Sequence, residues 1–308
     1  MTILLPFGSP HTSDVGVHTG GVIPVKEKKL QIVITAANGF VGRNIREFLS
    51  HNKTAIISLT RSKYPPLKYE TNIRYSDLDQ KSLIGKLKNC DALIHLIGQG
   101  TQSVDNTYED VNVELTKKIV HLCKNAKIRK IIYISGFGVD KSTTFGYFIS
   151  KFKAEQEIIK SGLDYTILRA SYIIGNNDPL TKNLNKQIKS GLITIPGSGS
   201  YRLQPISVND VAKVIFTSIT NKQFSNKIVD LVGPQTITFE SFVKKFVKKR
   251  AKIKKIDLEY AYHTAINRPK NANYGLDDLN ILVGDFVGNH KKLERLCGFK
   301  LTPLKEIL

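Results

Sequence analysis

Residues Gln31 to Leu49 read QIVITAANGFVGRNIREFL, and the fold turns on this stretch. QIVIT is a β-branched, apolar run of strand length. From Gly42 onward, Ile45, Phe48 and Leu49 fall on one helical face, so the intervening AANGF is a tight turn between strand and helix. Gly39 allows a ligand's phosphates close to the backbone, and Gly42 allows the helix to pack against the strand. The first turn of the helix offers N–H groups with no internal partner. Strand, glycine turn and helix N-terminus in this order make a cradle for a pyrophosphate.

Working outward, short β-rich runs alternate with helical periodicity. The candidate strands are Gln31 to Thr35, Ala55 to Leu59, Asn72 to Tyr75, Asp91 to Ile97, Lys130 to Ser135, Tyr165 to Arg169 and Ile228 to Val232. Between them, Gly42 to His51 and Asn112 to Lys124 carry amphipathic helical patterns. This alternation predicts an α/β protein: a Rossmann-type, doubly wound parallel sheet with a small C-terminal substrate lobe. The dinucleotide-binding domain is assigned to residues 29–175 and 202–233. The smaller lobe takes 176–201 and 234–308, because a Gly/Ser/Pro-rich loop at Ile195 to Tyr201 and the Gly233-Pro234 step interrupt the pattern. Residues 1–28 lack the features of a secretory signal and are expected to be a flexible leader.

The apolar runs, such as Leu93 to Gly98, are far shorter than a membrane span. Cys90, Cys123 and Cys297 are odd in number and widely spaced, which indicates neither a disulfide framework nor a metal site and suits a cytoplasmic location. The formal charge of +20 invites a nucleic-acid reading. Its lysines, however, are spread over the chain without arginine-aromatic alternation, so nucleic acid is not the expected partner.

Four further positions carry chemistry. The second strand ends SLTRSK, without the acid that usually holds an NAD ribose diol; Arg61 there suits the extra phosphate of NADP, so NADP(H) is expected over NAD(H). Tyr147 and Lys151 stand four apart in GYFISKFKAE, on one face of a helix. An ammonium beside a phenol lowers its pKa from about 10 toward neutrality, so that the hydroxyl exchanges a proton with a carbonyl or alcohol. Ser135, at the carboxyl end of its strand, is placed to steady that oxygen. A second such match, Tyr64 to Lys68, contains Pro65 and Pro66, which break a helix.

TAANGFVG, SDLDQ, DALIHLIGQG, IIYISGFGVD, YFISK, LRASYIIGNND and LQPISVNDVAKVI together resemble the ordered landmarks of extended and atypical short-chain dehydrogenase/reductases, over about residues 30 to 305. Within that superfamily the chain resembles the nucleotide-binding accessory subunit of respiratory complex I and its stand-alone prokaryotic relatives. The resemblance implies pyrophosphate contacts from Thr35, Ala37, Asn38, Gly39, Phe40 and Val41, and adenine contacts from Asp77 and Leu78. It places Leu96, Ile97 and Gly98 by the ribose and nicotinamide, gives catalytic roles to Ser135, Tyr147 and Lys151, and matches Asn112 to a structural asparagine. The family's first turn glycine is Ala36 here, a departure that bears on cofactor affinity more than on the fold.

The expected function is an oxidoreductase or epimerase/dehydratase-type enzyme acting on a small-molecule substrate that no constellation in the lobe names. The alternative is a cofactor-stabilised structural or assembly subunit of a complex I-like membrane complex. Residues 239–255 are expected to form one basic amphipathic helix, with Phe239, Phe242, Val243, Phe246 and Val247 as its apolar stripe. Its lysines suit an acidic protein partner or an anionic membrane surface, which would make the protein peripheral to a membrane. His95 is expected as a core imidazole and His290 at the surface.

Overall fold

The computed structural model describes residues 30–308; the leader expected at 1–28 lies outside the described residues. Seven strands form one sheet: β1 Gln31–Thr35, β2 Ala55–Thr60, β3 Glu70–Arg74, β4 Ala92–His95, β5 Lys130–Gly136, β6 Asp164–Ala170 and β7 Lys227–Leu231. Their order is β7-β6-β5-β4-β1-β2-β3, every neighbouring pair parallel. Chain order reverses between β1 and β4, and the crevice outside their carboxyl ends is where such sheets bind ligands. β4 stops short of the expected Ile97 because the Leu96 N–H turns to the Thr35 hydroxyl, 2.9 Å away, instead of a ladder partner.

Helices cover both faces. Ile45 and Leu49 of α1 (Phe40–His51) and Val211 and Ile215 of α6 (Val208–Thr220) pack on one side. Leu83 of α2 (Lys81–Leu87), Ile119 and Leu122 of α3 (Leu115–Asn125), and Ala154 and Ile158 of α4 (Gly146–Ile159) pack on the other. The segment expected to start a helix at Asn112 is wound as a π-helix over Glu109–Glu114 before α3 begins, and buries Asn112. Near the end of the chain, Leu293 and Leu301 return to the first of these cores.

A third core holds the lobe, built from α5 (Pro179–Lys189), α7 (Phe239–Val247), α8 (Leu258–Asn267) and α9 (Leu276–Leu282) with the strand Leu192–Pro196. Here one expectation is corrected: 239–255 is not a single helix. α7 keeps the apolar stripe, with Phe239, Phe242, Val243 and Val247 buried, but ends at Val247. Lys248 and Lys249 take left-handed φ values of 46° and 67°, and Lys252–Ile256 becomes a strand parallel to Leu192–Pro196. The alternation in AKIK has the period of a strand, and the edge of Leu192–Pro196 supplies the hydrogen bonds that a continued helix would have made internally. Among the described residues no helix is long and apolar enough to cross a membrane.

Candidate dinucleotide and active site

The turn between β1 and α1 keeps its shape although its first glycine is replaced. Ala36 takes a φ of 49°, the left-handed conformation that normally selects glycine, and the Gly39 N–H donates to the Ala36 carbonyl at 2.9 Å. A Cβ on Gly42 would lie 2.6 Å from the Ala36 oxygen and 2.8 Å from Ala37 Cα, so α1 and the turn touch through bare backbone there. Gly39 caps α1, and Asn38 is exposed beside it. Ala37 and Thr35 are buried, and Thr35 Oγ1 links the ends of β1 and β4. The close approach and the free helix N-terminus fit a dinucleotide phosphate.

Arg61 is exposed just beyond β2, the strand next to β1. Asp77 pairs with Lys118 at 2.9 Å, which holds its carboxyl below the usual range, while Leu78 is buried in the second core. Ile97 packs against that core too.

A cavity of about 680 Å³ opens at the carboxyl edge of the sheet and brings together Phe40, Val41, Leu96, Gly98, Ser135, Tyr147 and Lys151. Ser135 is 2% exposed, and its hydroxyl has no hydrogen-bond partner among the described residues. A buried, unpaired hydroxyl is costly unless a ligand atom satisfies it. Tyr147 sits against Gly136, where a Cβ would come within 3.1 Å of the phenol oxygen.

Lys151 lines the cavity with Tyr147, but its ammonium is engaged by other groups. Its ammonium donates to the Tyr133 hydroxyl at 3.1 Å and the Ile134 carbonyl at 3.3 Å, and lies 4.8 Å over the Tyr133 ring. Burial pulls Lys151 down to about 8, opposed by the charge of Glu155, and pushes the Tyr147 phenol up to about 12. The expected lowering of Tyr147 by Lys151 is therefore not found. The reason is local: the lysine descends from α4 onto β5 and meets a phenol there first. Gly98 leaves it room, since a Cβ at that position would lie 2.8 Å from Nζ.

Sequence reasoning missed Tyr133, whose only signal was an aromatic hydroxyl inside the otherwise aliphatic KIIYIS. Asn112, matched through the resemblance to a structural asparagine, clamps both backbone groups of Gln99 (2.9 and 3.2 Å) and donates to the Ser150 hydroxyl, fixing the loop after Gly98. His95 is buried as expected; it is 2.9 Å from Thr116 Oγ1, and burial lowers it to about 3, so it is neutral.

Sheet order, cradle and cavity together define a Rossmann-type dinucleotide-binding protein. Residues 36–222 match the family described as NAD(P)H-binding, and the chain belongs to it. It is 23% identical over 217 residues to the mitochondrial NADH dehydrogenase [ubiquinone] 1 alpha subcomplex subunit 9 of Arabidopsis thaliana, covering 67% of this chain and 54% of that protein. It is 22% identical over 228 residues to the uncharacterized sugar epimerase YhfK of Bacillus subtilis, covering 70% of this chain and all of that one. MoeE5, solved in complex with UDP-glucuronic acid and NAD, superposes with a TM-score of 0.71 at 16% identity over 90% of this chain and 95% of its own, a likeness of fold. The chain spans from about half to two thirds of the length of the mitochondrial NADH dehydrogenase and NADH-ubiquinone oxidoreductase subunits it matches.

Proposed function

We propose that this chain is an NADP(H)-dependent oxidoreductase or epimerase/dehydratase-type enzyme in which Ser135, Tyr147 and Lys151 act on a carbonyl or the corresponding alcohol. The observation that carries the proposal is the orphaned hydroxyl of Ser135, a residue that lines the same cavity as Tyr147 and Lys151. When bound, the dinucleotide supplies or accepts a hydride at nicotinamide C4. Ser135 donates a hydrogen bond to the substrate oxygen, Tyr147 gives or takes its proton, and Lys151 holds the nicotinamide ribose. The turn from Thr35 to Val41 holds the pyrophosphate, Asp77 and Leu78 border the adenine, and Leu96 to Gly98 flank the ribose and nicotinamide. Arg61 takes the additional phosphate of NADP. Residues 30–175 and 202–233 form the binding domain, joined by the end of the chain, where Leu293 and Leu301 pack in its core, and 176–201 with 234–289 form the substrate lobe.

The test is mass spectrometry of the co-purifying dinucleotide, followed by thermal-shift titration with NADPH and NADH. Selective stabilisation by NADPH that Arg61→Ala abolishes supports the assignment; equal stabilisation by both removes it. Turnover lost in Tyr147→Phe with dinucleotide binding intact supports the catalytic role.

A second reading is a cofactor-stabilised assembly subunit, favoured by relatives named as mitochondrial NADH dehydrogenase subunits. In it the exposed lysines of α7 and Lys252–Ile256 meet an acidic partner or an anionic membrane. Lys244 and Lys255 are already engaged by Glu240, at 2.8 and 2.7 Å, which leaves Lys245, Lys252 and Lys254 as the candidate contacts. Binding to phosphatidylserine vesicles or to an acidic partner that survives Tyr147→Phe, with no turnover in any variant, favours this reading over the enzyme.

A further inference from the structure

We infer that the substrate end of the cavity takes an uncharged ketone or aldehyde with an apolar flank, or the corresponding alcohol, and turns away nucleoside-diphosphate sugars. The inference rests on the proposed use of Ser135 and Tyr147. It starts from a second, smaller void of about 110 Å³ that shares Tyr147, Ala170, Ser171, Tyr172 and Ile281 with the main cavity. Phe137, Phe148 and Phe286 close it. The Phe286 ring, 5% exposed, enters from the lobe, and its centroid lies 6.5 Å from Phe137, 6.3 Å from Phe148 and 5.9 Å from Tyr172. An aromatic box against the side of Tyr147 holds a phenyl or short alkyl group and gives nothing to a hydroxylated sugar ring, whose polar groups would go unpaired.

Charge points the same way. A nucleoside diphosphate brings at least two negative charges that must be met by cations or free N–H groups. Among the described residues lining the cavity, Lys151 is the one cation, 6% exposed and engaged by Tyr133 and Ile134. The two lining acids are Asp178 and Asp278. Asp178 is spent on capping α5 through the Thr181 N–H at 2.8 Å. Asp278 is exposed at the start of α9, next to Asp277, which accepts from the Gln102 N–H at 3.3 Å. A diphosphate entering there meets carboxylates, whereas an uncharged carbonyl compound meets no such barrier.

In the reductive direction the substrate's C=O π bond opens. Its carbon gains the hydride from the reduced nicotinamide and its oxygen gains the Tyr147 proton, so the carbonyl is reduced by two electrons and the dinucleotide oxidised by two.

The experiment first establishes dinucleotide binding by calorimetry. The loaded protein is then titrated with acetophenone, 2-octanone and UDP-glucose, read by saturation-transfer NMR and by dinucleotide absorbance. Both ketones are expected to bind and UDP-glucose not to. Phe137→Ala, at a half-buried ring whose loss the fold tolerates better than that of Phe286, is expected to weaken ketone binding about tenfold. Asp278→Asn, which keeps an acceptor for the Gly275 N–H, is expected to bring UDP-glucose binding into range. Tighter binding of UDP-glucose than of either ketone overturns the inference. Dinucleotide binding without ketone binding also overturns it while leaving the dinucleotide reading standing; ketone binding to a protein that takes no dinucleotide does the reverse.

Discussion

Replacing Gly42 by alanine tests the cradle most directly, because the new methyl group meets only backbone. Its Cβ would lie 2.6 Å from the Ala36 oxygen and 2.8 Å from both Ala37 C and Ala37 Cα, against ordinary contacts that begin at 3.4 Å. No side chain is there to rotate away, so α1 and the turn must separate by about 0.8 Å. Overpacking of this kind costs about 1–3 kcal/mol, and three backbone contacts put Gly42→Ala near the upper end. The same shift withdraws the helix N–H donors from a phosphate. Losing one charge-assisted bond of about 1.5–3 kcal/mol weakens dinucleotide binding roughly ten- to hundredfold. Two companions calibrate the result. Gly39→Ala brings its Cβ to 3.2 Å from one oxygen and costs at most about 1 kcal/mol of stability. Ala36→Gly, at a φ of 49°, relieves about 1–2 kcal/mol of left-handed strain and returns about half of it as unfolded-state entropy, so it is expected to stabilise. Urea denaturation and calorimetry read all three variants. If Gly42→Ala stays within about 0.5 kcal/mol of the parent and within about twofold in dinucleotide affinity, the cradle argument is refuted.

Glu70, buried against Arg46 at 2.6 and 2.7 Å, is pushed up by burial, but Arg46, the Leu67 N–H and the Ser58 hydroxyl hold it below the ordinary carboxylate range. Its stabilising contribution is therefore present above a pH of about 4.3 and lost as pH falls through the lowered value; Glu70→Gln should cost about 3–5 kcal/mol at neutral pH and flatten that acid limb in denaturant titrations. Tyr133→Phe removes the acceptor that holds Lys151 and should lower kcat/KM roughly tenfold or more while shifting the pH profile, an effect that simple loss of packing would not produce. With Tyr147 pushed up to about 12, the phenol stays protonated through neutral pH. Alcohol oxidation should then rise by roughly tenfold per pH unit while carbonyl reduction shows no Tyr147 limb; an oxidation rate flat above neutrality would mean that the loaded site pulls the phenol down after all.

Much of this protein was legible from residues close together in the chain. Strand-forming runs and helical periodicity are local, so QIVITAANGFVGRNIREFL located β1, the turn and α1, and the parallel sheet followed from the repetition of that unit. Ser135, Tyr147 and Lys151 share a cavity because one ends a strand at the ligand edge and the other two project from one face of the next helix. Tertiary structure alone decided whom they meet. Lys151 turns to Tyr133, eighteen residues away on β5, because burial drives its ammonium to the nearest acceptor. Lys252–Ile256 leaves the helix because the strand Leu192–Pro196, about sixty residues earlier, offers it an edge. Phe286 reaches a box around Tyr147 from the far end of the chain because the lobe folds back over the sheet. Backbone propensity and periodicity were set by each residue's neighbours in sequence; the partners of buried charges and rings were set only when distant segments competed for the same desolvated space.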